Sequence, residues 1–167
     1  DLLKQILPEA KTIGILYCSA ESNSEIQAQM AREAIQAAGM ESKDFTVSSS
    51  NEIQTVVQSM VGKVDAVYAP TDNTIAAGMT TVAMVANDNK LPVICGESGM
   101  VNSGGLATYG IDYFQLGYMT GQQAVRILTE GASPADMPIE YLPVEKCELT
   151  VNEETAATLG IDVSNLK

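Results

Sequence analysis

Short apolar runs alternate with amphipathic helical stretches along the whole chain, and this alternation leaves few folds open. Residues 12–17, 45–47, 64–69, 91–95 and 106–111 read as strands, and 146–151 as a last one. Between them, 22–38, 53–60, 73–89 and 113–129 carry apolar residues at helical spacing, with a short helix over 153–159. In the first, Ile26, Met30, Ala34 and Ile35 share a face. Ser22 to Glu25 and Ser49 to Glu52 fit capping boxes, and Gly39 and Gly62 close the helices they follow. Strand followed by helix, repeated, demands right-handed crossovers and a parallel sheet with helices on both faces. The fold class expected is α/β: a Rossmann-like or flavodoxin-like three-layer αβα sandwich with about five strands.

Composition narrows the chemistry. The 167 residues carry nine Lys plus Arg against 21 Asp plus Glu, a net charge of −12. Nucleic acid needs a basic patch, so no nucleic-acid partner is expected. The chain has no His, which removes His general bases, Ser-His and Cys-His pairs, and most catalytic zinc sites. No apolar run reaches the roughly 20 residues that span a bilayer. Cys18, Cys95 and Cys147 are widely spaced, with no C-x-x-C pair, and read as structural thiols. No metal site and no cofactor is expected.

In such a sheet, ligands bind beyond the carboxyl ends of the strands. The loops there run over 18–24, 70–74, 96–100 and 112–113. They supply hydrogen-bonding side chains and the carboxylates of Glu21, Asp72, Glu97 and Asp112, an edge suited to a small ligand with a cationic group. Each residue has a plainer role available: Ser22, Asp72, Asn73 and Asp112 can be helix caps. Glu97 and Ser98 stand before no evident helix. The eight Met read as core filling. A flavodoxin phosphate loop needs a glycine that 18–24 lacks, and Glu21 would repel phosphate. Cys18 is followed by Ser24 where a phosphatase loop has Arg. A receiver domain needs a second acid after the first strand and a late Lys, both absent. There is no G-x-S-x-G, G-x-x-x-x-G-K or G-x-G-x-x-G. The chain is therefore expected to bind and not to catalyse.

Taken together, Ile15-Leu-Tyr-Cys-Ser-Ala-Glu-Ser-Asn-Ser24, Val64-Asp-Ala-Val-Tyr-Ala-Pro-Thr-Asp-Asn-Thr74 and Gly105-Leu-Ala-Thr-Tyr-Gly-Ile-Asp-Tyr-Phe-Gln-Leu-Gly-Tyr118 resemble the substrate-binding proteins of ABC-type importers. The branch is that of tryptophan, tyrosine and related aromatic amino acids. Members have the type I periplasmic-binding-protein fold, two α/β lobes closing on a ligand between them. The resemblance implies that 1–167 is the second lobe, with hinge crossings near 1–11, 108–113 and 131–147 and the first lobe missing. The stretch 1–7, stopped by Pro8, then matches the helix after the first crossing, and a chain starting inside a helix is expected to be a trimmed piece.

The resemblance also carries roles. Ser19, Glu21, Asn23 and Ser24 match the ligand-facing loop after the first strand, with Asn23 and Ser24 on the ligand carboxylate. Thr71, Asp72 and Asn73 match the loop after the third strand, Glu97 and Ser98 the next, and Asp112 with Tyr113 the hinge-side loop. One of Asp72, Glu97 or Asp112 is expected to hold the ligand ammonium, Asp112 or Asp72 before Glu97. Cys18 stands where many members have Asn. The implied partners are an amino acid, the missing lobe and an ABC permease, at the periplasmic or extracellular face of a membrane and often as a lipoprotein. The 113–129 helix packs on the other lobe in related proteins. Here it is expected to fold onto this sheet or to pair with a second copy. Two other readings remain open at this point. One is the effector-binding domain of a transcriptional regulator. The other is a flavodoxin-like nucleotide- or FMN-binding domain.

Overall fold

A computed structural model describes residues 2–166. It contains two compact units: residues 2–109 with 149–166, and residues 110–148.

In the first unit, α1 (Leu2–Ile6) leads into β1 (Thr12–Cys18), followed by α2 (Ser22–Ala37), β2 (Glu41–Val47), α3 (Ile53–Met60) and β3 (Ala66–Ala69). Then come α4 (Asn73–Ala77), α5 (Met79–Asp88), β4 (Val93–Cys95), α6 (Ser98–Asn102) and β5 (Ala107–Gly110). The chain returns at β6 (Glu148–Val151) and α8 (Glu153–Leu159). The six-stranded sheet has the order β2-β1-β3-β4-β5-β6. β1 runs parallel to both β2 and β3, with Ile13 opposite Ala66, and β4 runs parallel to β3 and β5. This is the expected αβα lobe, with a sixth strand at the edge.

The strands bury both faces, and residues alternate between two cores. Leu16 and Cys18 of β1, Val67 and Ala69 of β3, and Val93 and Cys95 of β4 pack with α3, α5 and α6. Ile13, Ile15 and Tyr17 pack against Ala28 and Ile35 of α2, and Ile94 with Leu106 against Leu2, Ile6 and Ala156. Ile13, Ile15 and Leu16 are fully buried, each stabilising by roughly 1.5–3 kcal/mol. Cys18 and Cys95 are buried free thiols, and Cys147 is half-buried and also free.

Four elements differ from the sequence expectation. β2 extends back to Glu41, because an edge strand paired on one side needs no continuous apolar run. The 73–89 helix is broken at Gly78, where an added Cβ would lie 2.2 Å from Ile53 Cδ1. A short helix, α6, follows Glu97. The capping boxes also shift. Glu52 reaches back to the Ser48 N–H at 2.7 Å, and Glu21, not Ser22, occupies the α2 cap position.

The second unit holds α7 (Tyr113–Glu130), whose side chains are nowhere buried. Gly131 ends it in the left-handed conformation, at φ 73°. Phe114 and Leu128 are 76 % and 82 % exposed, and Tyr118 and Val125 are exposed too. Arg126 pairs with Glu140.

Candidate functional site

The strand order turns at β1. β2 lies to one side and β3 to the other, so the loops after β1 and β3 diverge to opposite faces of the sheet. A crevice at the carboxyl edge follows from that divergence. The side chains there are tied into two clasps across it.

The first clasp is Glu21. Its Oε2 accepts from Asn73 N at 3.1 Å and Asn73 Nδ2 at 3.0 Å, and its Oε1 from Thr74 N at 2.9 Å and Thr74 Oγ1 at 2.8 Å. Partial desolvation alone would raise its pKa. The donors of Thr74 and Asn73 outweigh that and hold the carboxyl below its usual range.

The second clasp is Gln27, one turn beyond Asn23 on α2. Its Nε2 donates to the Thr71 carbonyl at 3.1 Å, and its Oε1 accepts from Thr71 N at 3.1 Å and from the Thr71 hydroxyl. Asn23 Nδ2 adds a longer bond of 3.4 Å to the same carbonyl. On the other side of Thr71 stands Gly96, where a Cβ would lie 2.4 Å from Thr71 N. Only glycine fits there. Gln27 and Gly96 also line an apolar cavity of about 550 Å³ behind the loop, with Met30, Ala31 and Tyr68.

Asp72 is buried, at 2 % exposure. Its Oδ2 accepts from Cys18 N at 2.6 Å and its Oδ1 from Ile75 N at 2.8 Å, so it ties the end of β1 to the start of α4. Ser24 is also fully buried, and its Oγ has no hydrogen-bond partner. Both were read from the sequence as facing a ligand, and both are buried in this lobe. Ser19 lies exposed at the end of β1, with N–H and Oγ both donating to the Val47 carbonyl. Glu97 caps α6 through Gly99 N at 2.8 Å and Met100 N at 2.6 Å, and Ser98 is the first residue of that helix. Sequence reading missed this helix because five residues including Gly99 carry little helical signal. Cys95 ends β4 just before this loop, where burial, and then the Glu97 charge, pushes its thiol up to about 12.

Asp112 and Tyr113 belong to the second unit. Asp112 caps α7 by accepting from Phe114 N at 2.8 Å and Gln115 N at 3.0 Å, both on Oδ1, and Tyr113 is exposed. The structure thus brings together Glu21 with Asn73, and Asn23 with Thr71. Gln27 and Gly96 were missed. The i, i+4 spacing from Asn23 was the available signal for Gln27. Among the described residues, no group of three or more His, Cys, Asp or Glu is arranged to hold a metal ion. Among the described residues, no helix is long and apolar enough to cross a membrane.

Comparison with known proteins follows the same outline. The family described as ABC transporter substrate binding protein matches residues 1–166. A tyrosine-binding protein of Clostridioides difficile is 41 % identical over 161 residues, which is 96 % of this chain and 46 % of that protein. A Streptococcus pneumoniae ABC domain solved with L-Trp has a TM-score of 0.88 and 39 % identity, covering 98 % of this chain and 55 % of that one. The ligand-free, open structure of a Clostridium difficile substrate-binding protein with adhesive properties has a TM-score of 0.80 at 40 % identity. It covers 99 % of this chain and 55 % of that one. The chain spans about half the length of these relatives. A family match over nearly every residue, on an αβα lobe whose polar loops meet at the sheet's turning point, places this chain among the ABC transporter substrate-binding proteins.

Proposed function

We propose that this lobe forms one wall of a binding site for an aromatic amino acid, in a receptor that hands its ligand to an ABC permease without changing it. The observation that carries this is the likeness, over 98 % of the chain, to a domain solved with L-Trp. The geometry supports it. Glu21, Gln27 and Asp72 tie the loops after β1 and β3 together by hydrogen bonds, and such preorganisation limits the ordering that binding requires. Ser19, Asn23, Thr71, Asn73 and Ser98 are the proposed contacts on the first unit, with Asn23 on the ligand carboxylate. Asp72, Glu21 and Glu97 build the loops. Asp112, with its cap bonds confined to Oδ1, and Tyr113 are proposed contacts of the second unit. A first lobe supplies the rest of the site and the cover for α7, and the receptor works at the outer face of a membrane or in the periplasm.

The test is titration calorimetry of the full-length protein containing this chain against a panel of amino acids. Heat with tryptophan or tyrosine and none with glutamate or lysine is expected. Absence of heat with every aromatic amino acid would contradict the reading.

A further inference from the structure

The apolar cavity beside α2 is not part of the amino-acid site. α2 lines it with Ala31, Ala34 and Ala38, at the spacing that puts side chains on one helix face. Their methyl groups are too small to fill the space over the sheet. α1 stands on the other side, with Leu2 and Leu3 as the wall. At five residues it is about 7.5 Å long, too short to close the gap. The result is a space of about 550 Å³ with Ile94 on its floor, within the range of small-molecule sites. Met30 also lines it and is 64 % exposed, so it stands at the mouth and is not the core filling its sequence suggests. An unbranched thioether there can repack around a ligand.

Charge selects the ligand. The chain carries 21 acidic and nine basic residues, yet no Asp or Glu lines this cavity, and Lys4 is its one charged residue. Lys4 takes part in none of the ion pairs among the described residues. Tyr68 lines the cavity too and is half-buried, and its hydroxyl has no hydrogen-bond partner among the described residues. Burial raises its pKa, so the hydroxyl stays protonated and able to donate. The Gln27 amide, at one end, is committed to Thr71. A cation and a donor in an apolar surround suit a carboxylate on a hydrocarbon chain. A zwitterionic amino acid fits poorly, since its ammonium would meet no carboxylate.

We propose that this cavity is a second ligand site, which takes a medium-chain carboxylate: the alkyl chain lies between α1 and α2, and the carboxylate meets Lys4 Nζ and the Tyr68 hydroxyl. It is separate from the proposed amino-acid site, and neither depends on the other.

The test is NMR titration of the isotopically labelled chain with decanoate, octanoate and decylamine, each below its critical micelle concentration. Decanoate should shift the Met30 methyl, the Ile94 methyls and the Tyr68 ring. Octanoate, two CH2 groups shorter, should bind there roughly tenfold more weakly. Decylamine, with the opposite charge, should leave these residues in place. Lys4→Gln should weaken decanoate binding about fivefold. Ala34→Phe, at an exposed helix position, fills the cavity and should abolish binding. If that variant fails to fold, the probe series on the unmodified chain and Lys4→Gln still decide. Decanoate shifts confined to the exposed stripe of α7 overturn the site, as does decanoate binding unchanged by a folded Ala34→Phe. Decylamine shifting Met30, Ile94 and Tyr68 as strongly as decanoate, or Lys4→Gln binding decanoate as tightly as the unmodified chain, overturns the assignment of a carboxylate.

Discussion

Asp72 shows how one buried carboxylate can hold two elements in register. It caps α4 through Ile75 N and satisfies the Cys18 N–H at the end of β1. Asp72→Ala removes a cap and leaves a buried donor without a partner, so it should destabilise by about 2–4 kcal/mol in urea unfolding. Asp72→Asn keeps one amide oxygen and should be milder. Gly96 works by having no side chain. In Gly96→Ala the new Cβ meets the Thr71 backbone, which cannot rotate away as a side chain could. We expect a loss of about 1–3 kcal/mol and a shifted Thr71 amide resonance. Asp65 supplies a pH dependence. It accepts from Lys11 N and Thr12 N, both at 2.8 Å, and these bonds, that to Thr12 first, lower its pKa. A lowered folded pKa means its contribution is full above the unfolded value of about 3.9 and is lost as the pH falls through the folded one. The urea midpoint should therefore drop between pH 5 and pH 3 by less in Asp65→Asn than in the wild type.

At the scale of elements, α7 is an 18-residue helix with no buried side chain. Isolated helices are marginal in water, and an exposed apolar stripe on a helix favours a packing partner. Replacing Phe114 and Leu128 by Gln should change the unfolding midpoint of the chain by no more than about 0.5 kcal/mol per site, because both are exposed here. In the full-length protein the same pair should cost several times as much, a contrast that parallel urea titrations would show. The alternation of strand and helix was legible because buried strands are short and apolar, and helices α2, α3, α7 and α8 carry full amphipathic turns. The edge strand β2, the five-residue α6 and the break at Gly78 were not. Each is decided by pairing or packing with residues distant in sequence, such as β1 for β2 and Ile53 for Gly78.

The same limit applies to the whole molecule. The carboxyl edge and its loops could be read from the strand order that βαβ crossovers impose. Which polar residues face outward could not, because only the folded packing shows that Asp72 and Ser24 are buried. Glu21, placed on the ligand by resemblance, also accepts from Asn73 and Thr74, bonds that spacing along the chain does not reveal. The chain spans about half the length of its relatives. The most direct test is a crystal structure of the full-length protein grown with L-tryptophan. Ligand density against Asn23, Thr71 and Asn73, beyond the ends of β1 and β3, is the predicted result. Density in the apolar cavity beneath α2, or away from this edge altogether, would contradict the account.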